Sequence, residues 1–190
     1  MSLEQLWAGW RSAYVSSVPS TDEVESPPGP GAGPGDVTGP GGHPLDDPAT
    51  CVFCRIAASG PPSADNGVLW QGRHVFAVLN AYPYASGHLM VMPVRHVRSM
   101  ADLGLEEGAE LWEALRAGVA ALETAYRPEG VNLGANLGRA AGAGIPRHLH
   151  LHAVPRWVGD TNFMTAVAGV RVLPEAMSDS WERLHRAWPA

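Results

Sequence analysis

The stretch RHLHLHAVPRW, residues 147–157, places His148, His150 and His152 at alternate positions. Successive side chains of a β-strand point to opposite faces, so in a strand the three imidazoles would share one face of a sheet. The residues between them are apolar and predict a core-facing side: Leu149, Leu151 and Ala153. We expect this strand to end at Pro155, because proline cannot donate to a ladder.

Three plain explanations for the histidines compete with a chemical one: an exposed polar face, an expression tag and a purely structural metal site. A tag is contiguous and terminal, whereas this run is internal and alternates with leucine. A solvated strand face more often carries lysine, glutamate, threonine or serine. The pattern therefore favours a functional strip of imidazoles on an apolar strand.

The bulk composition limits the function classes. The chain has 190 residues, which suits one domain with tails, and 45% of them are hydrophobic. A net charge of −6 argues against a nucleic-acid partner, since there is no basic surplus to neutralise phosphates. A small phosphorylated ligand remains compatible, because backbone amides and imidazoles can hold it. With neither a signal-peptide pattern nor an apolar run of membrane length, we expect a soluble, cytoplasmic protein and no membrane partner.

Composition divides the chain into three parts. Residues 1–18 predict an amphipathic, tryptophan-rich helix. Residues 19–49 are rich in glycine and proline and predict a flexible linker. Residues 50–190 predict the folded domain with a C-terminal helical extension.

Within that domain, strands surround one long helix. The helix is expected within 105–126 and a closing helix at 175–187. Five segments have strand character: 68–70, 74–80, 87–94, 130–138 and 148–155. This order predicts the α+β class with a mainly antiparallel five-stranded sheet.

The two cysteines of the chain form a CVFC motif, Cys51 and Cys54. A disulfide fits poorly without a secretory signal, and a thioredoxin-like pair would need a βαβ context that is absent here. Two reduced, buried cysteines remain an alternative. Zinc needs two more ligands, and the candidates are His43, His74, His88, His96, His148 and His185. His96 lies just past the end of a predicted strand and His148 opens the histidine strand, so these two are favoured. Four protein ligands would make the site structural.

The sequence NLGRAAGAGIPR runs directly into the histidine strand. Its glycines at 138, 142 and 144 allow tight turns that can direct several amides at one anion. Such a loop next to imidazoles suggests nucleotidyl transfer through a phosphoramidate, with a neutral imidazole as nucleophile. No carboxylate cluster typical of a magnesium site is evident, which suits a chemical step that needs no metal.

HLHLHAV resembles the histidine-triad (HIT) motif, in which histidines alternate with apolar residues. The CxxC motif, GHLMVMPVRH and the glycine loop follow in the family's order, so the resemblance covers about residues 51–165. AVLNAYPYASGHLMVMP and PRWVGDTNF are similar to the diadenosine tetraphosphate phosphorylase branch of actinobacteria. One departure is GIPR at 144–147, where many members carry a glutamine or serine.

The resemblance implies a role for each matching residue. His150 would attack the α-phosphorus, and His152 would hydrogen-bond a phosphate or leaving-group oxygen. His148 and His96 would bind structural Zn(II) together with the two cysteines. The nucleotide would be bound by a set that also includes His152: Asn80, Asn136, Gly142, Gly144 and, by base stacking, Trp157.

The implied activity is phosphorolysis of diadenosine tetraphosphate to ADP and ATP through a histidine–AMP intermediate, with inorganic phosphate as acceptor. One alternative is a hydrolase of dinucleoside polyphosphates or adenosine phosphoramidates, with water as acceptor. Another is a nucleotide-binding module without turnover. The family resemblance also implies a homodimer or higher homo-oligomer.

Overall fold

The computed structural model describes residues 47–160 and 175–189. The predicted N-terminal helix, 1–18, and all but the last three residues of the predicted linker, 19–49, lie outside the described residues. The elements, in chain order, are α1 (Val52–Ala57), β1 (Val68–Gln71), β2 (Val75–Leu79), β3 (Leu89–Pro93), a 3-10 turn (Met100–Asp102), α2 (Leu105–Tyr126), β4 (Gly130–Gly134), a second 3-10 turn (Arg139–Ala141), β5 (Leu151–Arg156) and α3 (Met177–Ala187).

The five strands form one sheet in the order β1-β2-β3-β5-β4, and each neighbouring pair is antiparallel. The expected α+β class is confirmed. Every residue of the central strands β2 and β3 is buried, so both faces of the sheet are covered. Within the described residues, no helix is long and apolar enough to cross a membrane.

Alternation along the strands divides the core into two layers. Odd-numbered residues of β2 and β3 pack with buried residues of α2 and α3. Even-numbered residues of the same strands pack on the opposite face with Cys51 and with Phe53 of α1. The short helix α1 and the long helix α2 therefore lie on opposite faces of the sheet.

Helix α2 occupies the range expected from the sequence. At its start, the Glu107 carboxylate accepts a hydrogen bond from the Gly104 amide (2.8 Å) and thereby caps the first turn. The same carboxylate accepts two hydrogen bonds from Arg95. The helix ends at Tyr126, because the next residue, Arg127, has a left-handed backbone (φ 47°) and Pro128 follows.

The histidine strand differs from the prediction at both ends. β5 begins at Leu151 rather than at residue 148, because the preceding chain emerges from a loop and the Leu149 amide donates to the carbonyl of Val97 (2.6 Å). Pro155 lies inside β5, beyond the residues that pair with β3, and pairs with β4 alone. β4 likewise stops at Gly134, short of the predicted residue 138, and α3 begins at Met177 rather than at 175.

The two faces of the histidine segment nevertheless match the prediction. Leu149 and Ala153 are buried in the core layer that contacts α2, and Leu151 packs against that layer. The ring of Phe53, from the opposite layer, lies 5.5 Å from the His148 ring and 5.1 Å from the His150 ring. All three imidazoles therefore belong to the face that α1 covers.

Candidate functional site

A cavity of about 330 Å³ opens beside α1, at the end of the sheet where β5 begins. Six of the seven residues expected to bind nucleotide or to react line it together: Asn80, Asn136, Gly142, Gly144, His150 and His152. The chain brings them together because the loops after β2 and β4 meet the start of β5. Apolar side chains of α1, including Phe53 and Ile56, form another wall.

Trp157 is the seventh, and it does not line this cavity. It lies just past the end of β5, half-buried, with its ring edge-to-face against Tyr126 at 6.4 Å. Stacking of this indole on a base stays a prediction.

The His150 ring has one nitrogen committed to the backbone. Its Nδ1 lies 2.7 Å from the carbonyl oxygen of His148, and a carbonyl can only accept, so Nδ1 carries the proton. In the neutral ring, Nε2 then holds a free lone pair. The side chain is 94% buried, and this burial lowers the pKa of His150 below its usual range. A neutral imidazole with a free Nε2 is a competent nucleophile near pH 7.

His152 takes part in a chain of hydrogen bonds that begins at the backbone. The Tyr84 amide donates to Nδ1 of His88 (3.0 Å), so the proton of the neutral His88 ring is on Nε2. That Nε2 lies 2.9 Å from Nδ1 of His152 and donates to it. The remaining nitrogen of His152, Nε2, therefore carries a proton and is a hydrogen-bond donor. Burial, followed by the nearby His150, lowers the pKa of His152 to about 4.

His88 is a site residue that the sequence reasoning considered only as a candidate metal ligand. It is fully buried at the start of β3, and the register of β3 against β5 brings it to His152. Its position in GHLMVMP, directly before an apolar strand, was the signal that could have identified it: a buried histidine needs a polar partner.

Asn80 follows β2 and forms part of the same network. Its Oδ1 accepts a hydrogen bond from the Tyr82 amide (2.9 Å), and its Nδ2 lies 3.4 Å from Nδ1 of His88. Tyr82 itself is 76% exposed and lines the cavity rim. The turn after β2 thus supplies an amide and a phenol to one edge of the cavity, and its last residue, His88, contacts the cavity residue His152.

The glycine loop is closed by its own backbone. Gly138 and Gly142 have φ values of 84° and 86°, which favour glycine. The amides of Gly142 and Ala143 donate to the carbonyls of Arg139 and Gly138. Gly142 and Gly144 both line the cavity, and the Gly144 amide is one of several loop amides that donate to no backbone carbonyl among the residues the structure describes.

A second cluster lies on the other side of His150. The ligand atoms of Cys51, Cys54, His96 and His148 lie within 4.8 Å of one another. The Cys51 sulfur is 3.4 Å from Nδ1 of His148, and the Cys54 sulfur is 3.3 Å from Nδ1 of His96. These four residues, the ones expected from the sequence, could hold a metal ion.

The chemistry of the donors fits zinc. Nε2 of His148 donates to the carbonyl of Pro93 (2.8 Å), which leaves the Nδ1 lone pair directed at the sulfurs. Without a cation, burial and the neighbouring Cys51 raise the pKa of Cys54 to about 11. Burial lowers the pKa of His148 to about 4, so this ligand is neutral at pH 7. Two sulfurs and two imidazoles make a tetrahedral ligand set that Zn(II) prefers, and the cation would favour the thiolates.

The sequence also matches those of known proteins. The HIT domain matches residues 62–158. The chain is 36% identical over 188 residues to the AP-4-A phosphorylase of Mycobacterium tuberculosis (strain CDC 1551 / Oshkosh), across 98% of this chain and 85% of that protein. It is 30% identical over 107 residues to Protein hit of Bacillus subtilis (strain 168), across 56% and 71% of the two chains.

The fold is also that of solved structures. The crystal structure of a Zn-bound histidine triad family protein from Mycobacterium smegmatis superposes with a TM-score of 0.60 at 26% identity, over 75% of this chain and 95% of that one. These matches confirm the expected fold, and the near full-length match confirms the expectation of a HIT-family enzyme similar to the phosphorylase branch. The chain belongs to the HIT domain family.

Proposed function

We propose that this enzyme transfers a nucleotidyl group from a dinucleoside polyphosphate, with diadenosine tetraphosphate as substrate and ADP and ATP as products. The observation that carries the proposal is the pairing of two imidazoles in one cavity. Nε2 of His150 bears a lone pair, and Nε2 of His152 bears a proton. A nucleophile next to a hydrogen-bond donor is what displacement at phosphorus requires.

In the first step, Nε2 of His150 attacks the α-phosphorus. A P–N bond forms, the bond from that phosphorus to the bridging oxygen breaks, and ATP leaves with the bonding electrons. The donor on His152 stabilises the charge that develops on the phosphate oxygens. The histidine then carries AMP as a phosphoramidate.

In the second step, an oxygen of inorganic phosphate attacks the same phosphorus. The P–N bond breaks, its electrons return to Nε2 of His150, and ADP leaves. If water attacks instead, the product is AMP and the enzyme is a hydrolase. We propose phosphate as acceptor on the basis of the phosphorylase-like relative.

The binding contacts proposed for the nucleotide follow the cavity lining. Asn80 would hold the ribose hydroxyls, while Asn136 and the amides around Gly142 and Gly144 would hold phosphates. Base stacking on Trp157 would require the base to extend past the lining residues. We place the reaction in the cytoplasm, with the protein as a homodimer or higher homo-oligomer.

Zinc has a structural role in this proposal. Cys51, Cys54, His96 and His148 would hold it and so attach α1 to the end of β3 and the start of β5. All four positions are filled by protein, so the metal offers no site to substrate. The chemical step is assigned to the imidazoles of the cavity.

The test is incubation with diadenosine tetraphosphate, with and without inorganic phosphate, and separation of the products by ion exchange. The expected result is that ADP and ATP form only when phosphate is present. AMP and ATP formed in both tubes would replace phosphorolysis by hydrolysis. The proposal would be overturned if the enzyme does not turn over this substrate. Cleavage of adenosine phosphoramidate would then replace it, or nucleotide binding alone.

A further inference from the structure

The ring of Tyr126 packs directly on the backbone of Gly87, the residue before His88. Gly87 is buried and has a φ of +82°. A Cβ added to it would meet ring atoms of Tyr126 at 2.6, 3.0 and 3.1 Å. The ring of Tyr126 therefore occupies the space that a side chain at position 87 would need. The turn packs closely against this last residue of α2.

Residues at the start of α3, and Glu175 just before it, contact Tyr126 as well. Its hydroxyl donates to the Glu175 carboxylate (2.7 Å), which also accepts from the Ser180 hydroxyl (3.1 Å). The Arg183 side chain pairs with the same carboxylate (3.0 Å), and its guanidinium lies 5.2 Å from the centre of the Tyr126 ring. Each of these contacts fixes the ring against the turn.

The turn that Tyr126 supports also sets the proton positions at the active site. Residues 84–88 contain both ends of the first hydrogen bond, from the Tyr84 amide to Nδ1 of His88. The second bond, from His88 to His152, is 2.9 Å long and depends on where the His88 ring sits. A displacement of the turn relative to β5 would leave the first bond intact but lengthen the second, and it would release the tautomer of His152.

We infer that Tyr126, anchored by Glu175, is a positioning residue for the reaction. It supports Gly87 so that His88 keeps His152 in the tautomer whose Nε2–H faces the cavity. The inference rests on the proposed function for its kinetic consequence, but the hydrogen-bond chain can be measured without turnover. Tyr126 is separated from the cavity by the turn and touches no reacting atom.

The experiment uses the full chain, four test variants and one control variant. Gly87→Ala adds the clashing Cβ, Tyr126→Leu removes the ring, and Tyr126→Phe removes the hydroxyl alone. The double variant Gly87→Ala with Tyr126→Leu tests whether the two positions act through one contact. Glu113→Gln, which breaks an exposed ion pair with Arg116 on the same helix, is the matched control.

Two readouts separate positioning from a general loss of stability. We expect kcat to fall about tenfold in Gly87→Ala and Tyr126→Leu and about threefold in Tyr126→Phe, because small misplacements of catalytic groups slow the chemical step. KM should stay within about twofold, and the double variant should lose less than the product of the single losses. Imidazole ¹⁵N spectra should show His152 as a single tautomer in the wild type and as a mixture in Tyr126→Leu.

Other outcomes overturn the inference. A lower Tm with an unchanged His152 tautomer and unchanged kcat would make Tyr126 a purely structural residue. Additive losses in the double variant would show that Gly87 and Tyr126 act separately. If the wild type turns over no dinucleoside polyphosphate, the proposed function fails, while the ¹⁵N spectra still decide the positioning role.

Discussion

His148 and His150 are the same residue type, two positions apart, yet they present opposite nitrogens to their surroundings. His148 donates from Nε2 to the Pro93 carbonyl, so its Nδ1 lone pair faces two cysteine sulfurs. His150 donates from Nδ1 to the carbonyl of His148, so its Nε2 lone pair faces the cavity. In each case, one backbone carbonyl determines which nitrogen of the ring holds the lone pair, and so distinguishes the proposed metal ligand from the proposed nucleophile.

The largest expected effect is on the catalytic side. His150→Ala removes the proposed nucleophile, and kcat for diadenosine tetraphosphate should fall by about 10⁴-fold or more. Nucleotide affinity should change little, because the remaining contacts that line the cavity stay in place. Steady-state assays measure kcat, and equilibrium binding measures the nucleotide affinity.

The control for that variant is His74→Ala, whose imidazole lies outside the cavity lining and 3.3 Å from the Glu106 carboxylate. It should keep wild-type kcat. If His150→Ala retained more than about one per cent of wild-type turnover, His150 would not be the nucleophile.

On the metal side the expected effect is on stability. Cys51→Ala should reduce the zinc content from about one per chain to near zero and lower Tm by roughly 10 °C or more, since a structural site binds metal only in the folded state. Elemental analysis and thermal unfolding measure these quantities. Chelation should lower the Tm of the wild type and leave that of Cys51→Ala unchanged. A variant that keeps its zinc would disprove the four-ligand site.

A smaller effect is expected at the contact between α2 and Arg95, next to the candidate metal ligand His96. Glu107→Gln weakens the paired hydrogen bonds from Arg95 (2.8 and 2.7 Å), the neighbour of His96, and should reduce the free energy of unfolding by about 1–3 kcal/mol. The exposed variant Glu113→Gln should change it by less than about 0.5 kcal/mol. Urea unfolding distinguishes the two, and equal losses would contradict the assignment.

The contribution of Glu107 to the free energy of unfolding should also depend on pH. The Arg95 hydrogen bonds, followed by the Gly104 amide, lower the pKa of Glu107 from 4.5 to about 2. The folded state therefore binds the proton more weakly than the unfolded state, so the stabilisation is complete above pH 4.5 and declines as the pH falls toward 2. The difference in stability between wild type and Glu107→Gln should shrink over that interval.

Much of this site was predictable because its signals are local. Alternation in an extended chain placed His148, His150 and His152 on one face, and they share that face although β5 begins only at Leu151. Ligand chemistry selected His96 and His148 as partners for the two cysteines, and all four meet. The long helix lies in the range within which it was predicted, 105–126, because its apolar period is regular and Pro128 follows it.

What escaped prediction depends on contacts between distant segments. The delayed start of β5 follows from a hydrogen bond to Val97, which no pattern near residue 149 indicates. The role of His88 depends on the pairing of Met90 with His152 across β3 and β5. Local sequence shows side-chain chemistry and periodicity. The start of β5 and the role of His88 depend instead on the strand register and on contacts between segments that are distant in sequence.

The contact between Cys51 and His148 also has a consequence for the order of folding. The two residues are 97 positions apart, and β1 to β4 together with α2 lie between them. Closing a loop of that length costs a chain about 4–5 kcal/mol of entropy, so the ligands cannot gather early. A metal ion held by the four ligands would therefore be captured after the sheet assembles, and it would then hold the two ends of this long loop together.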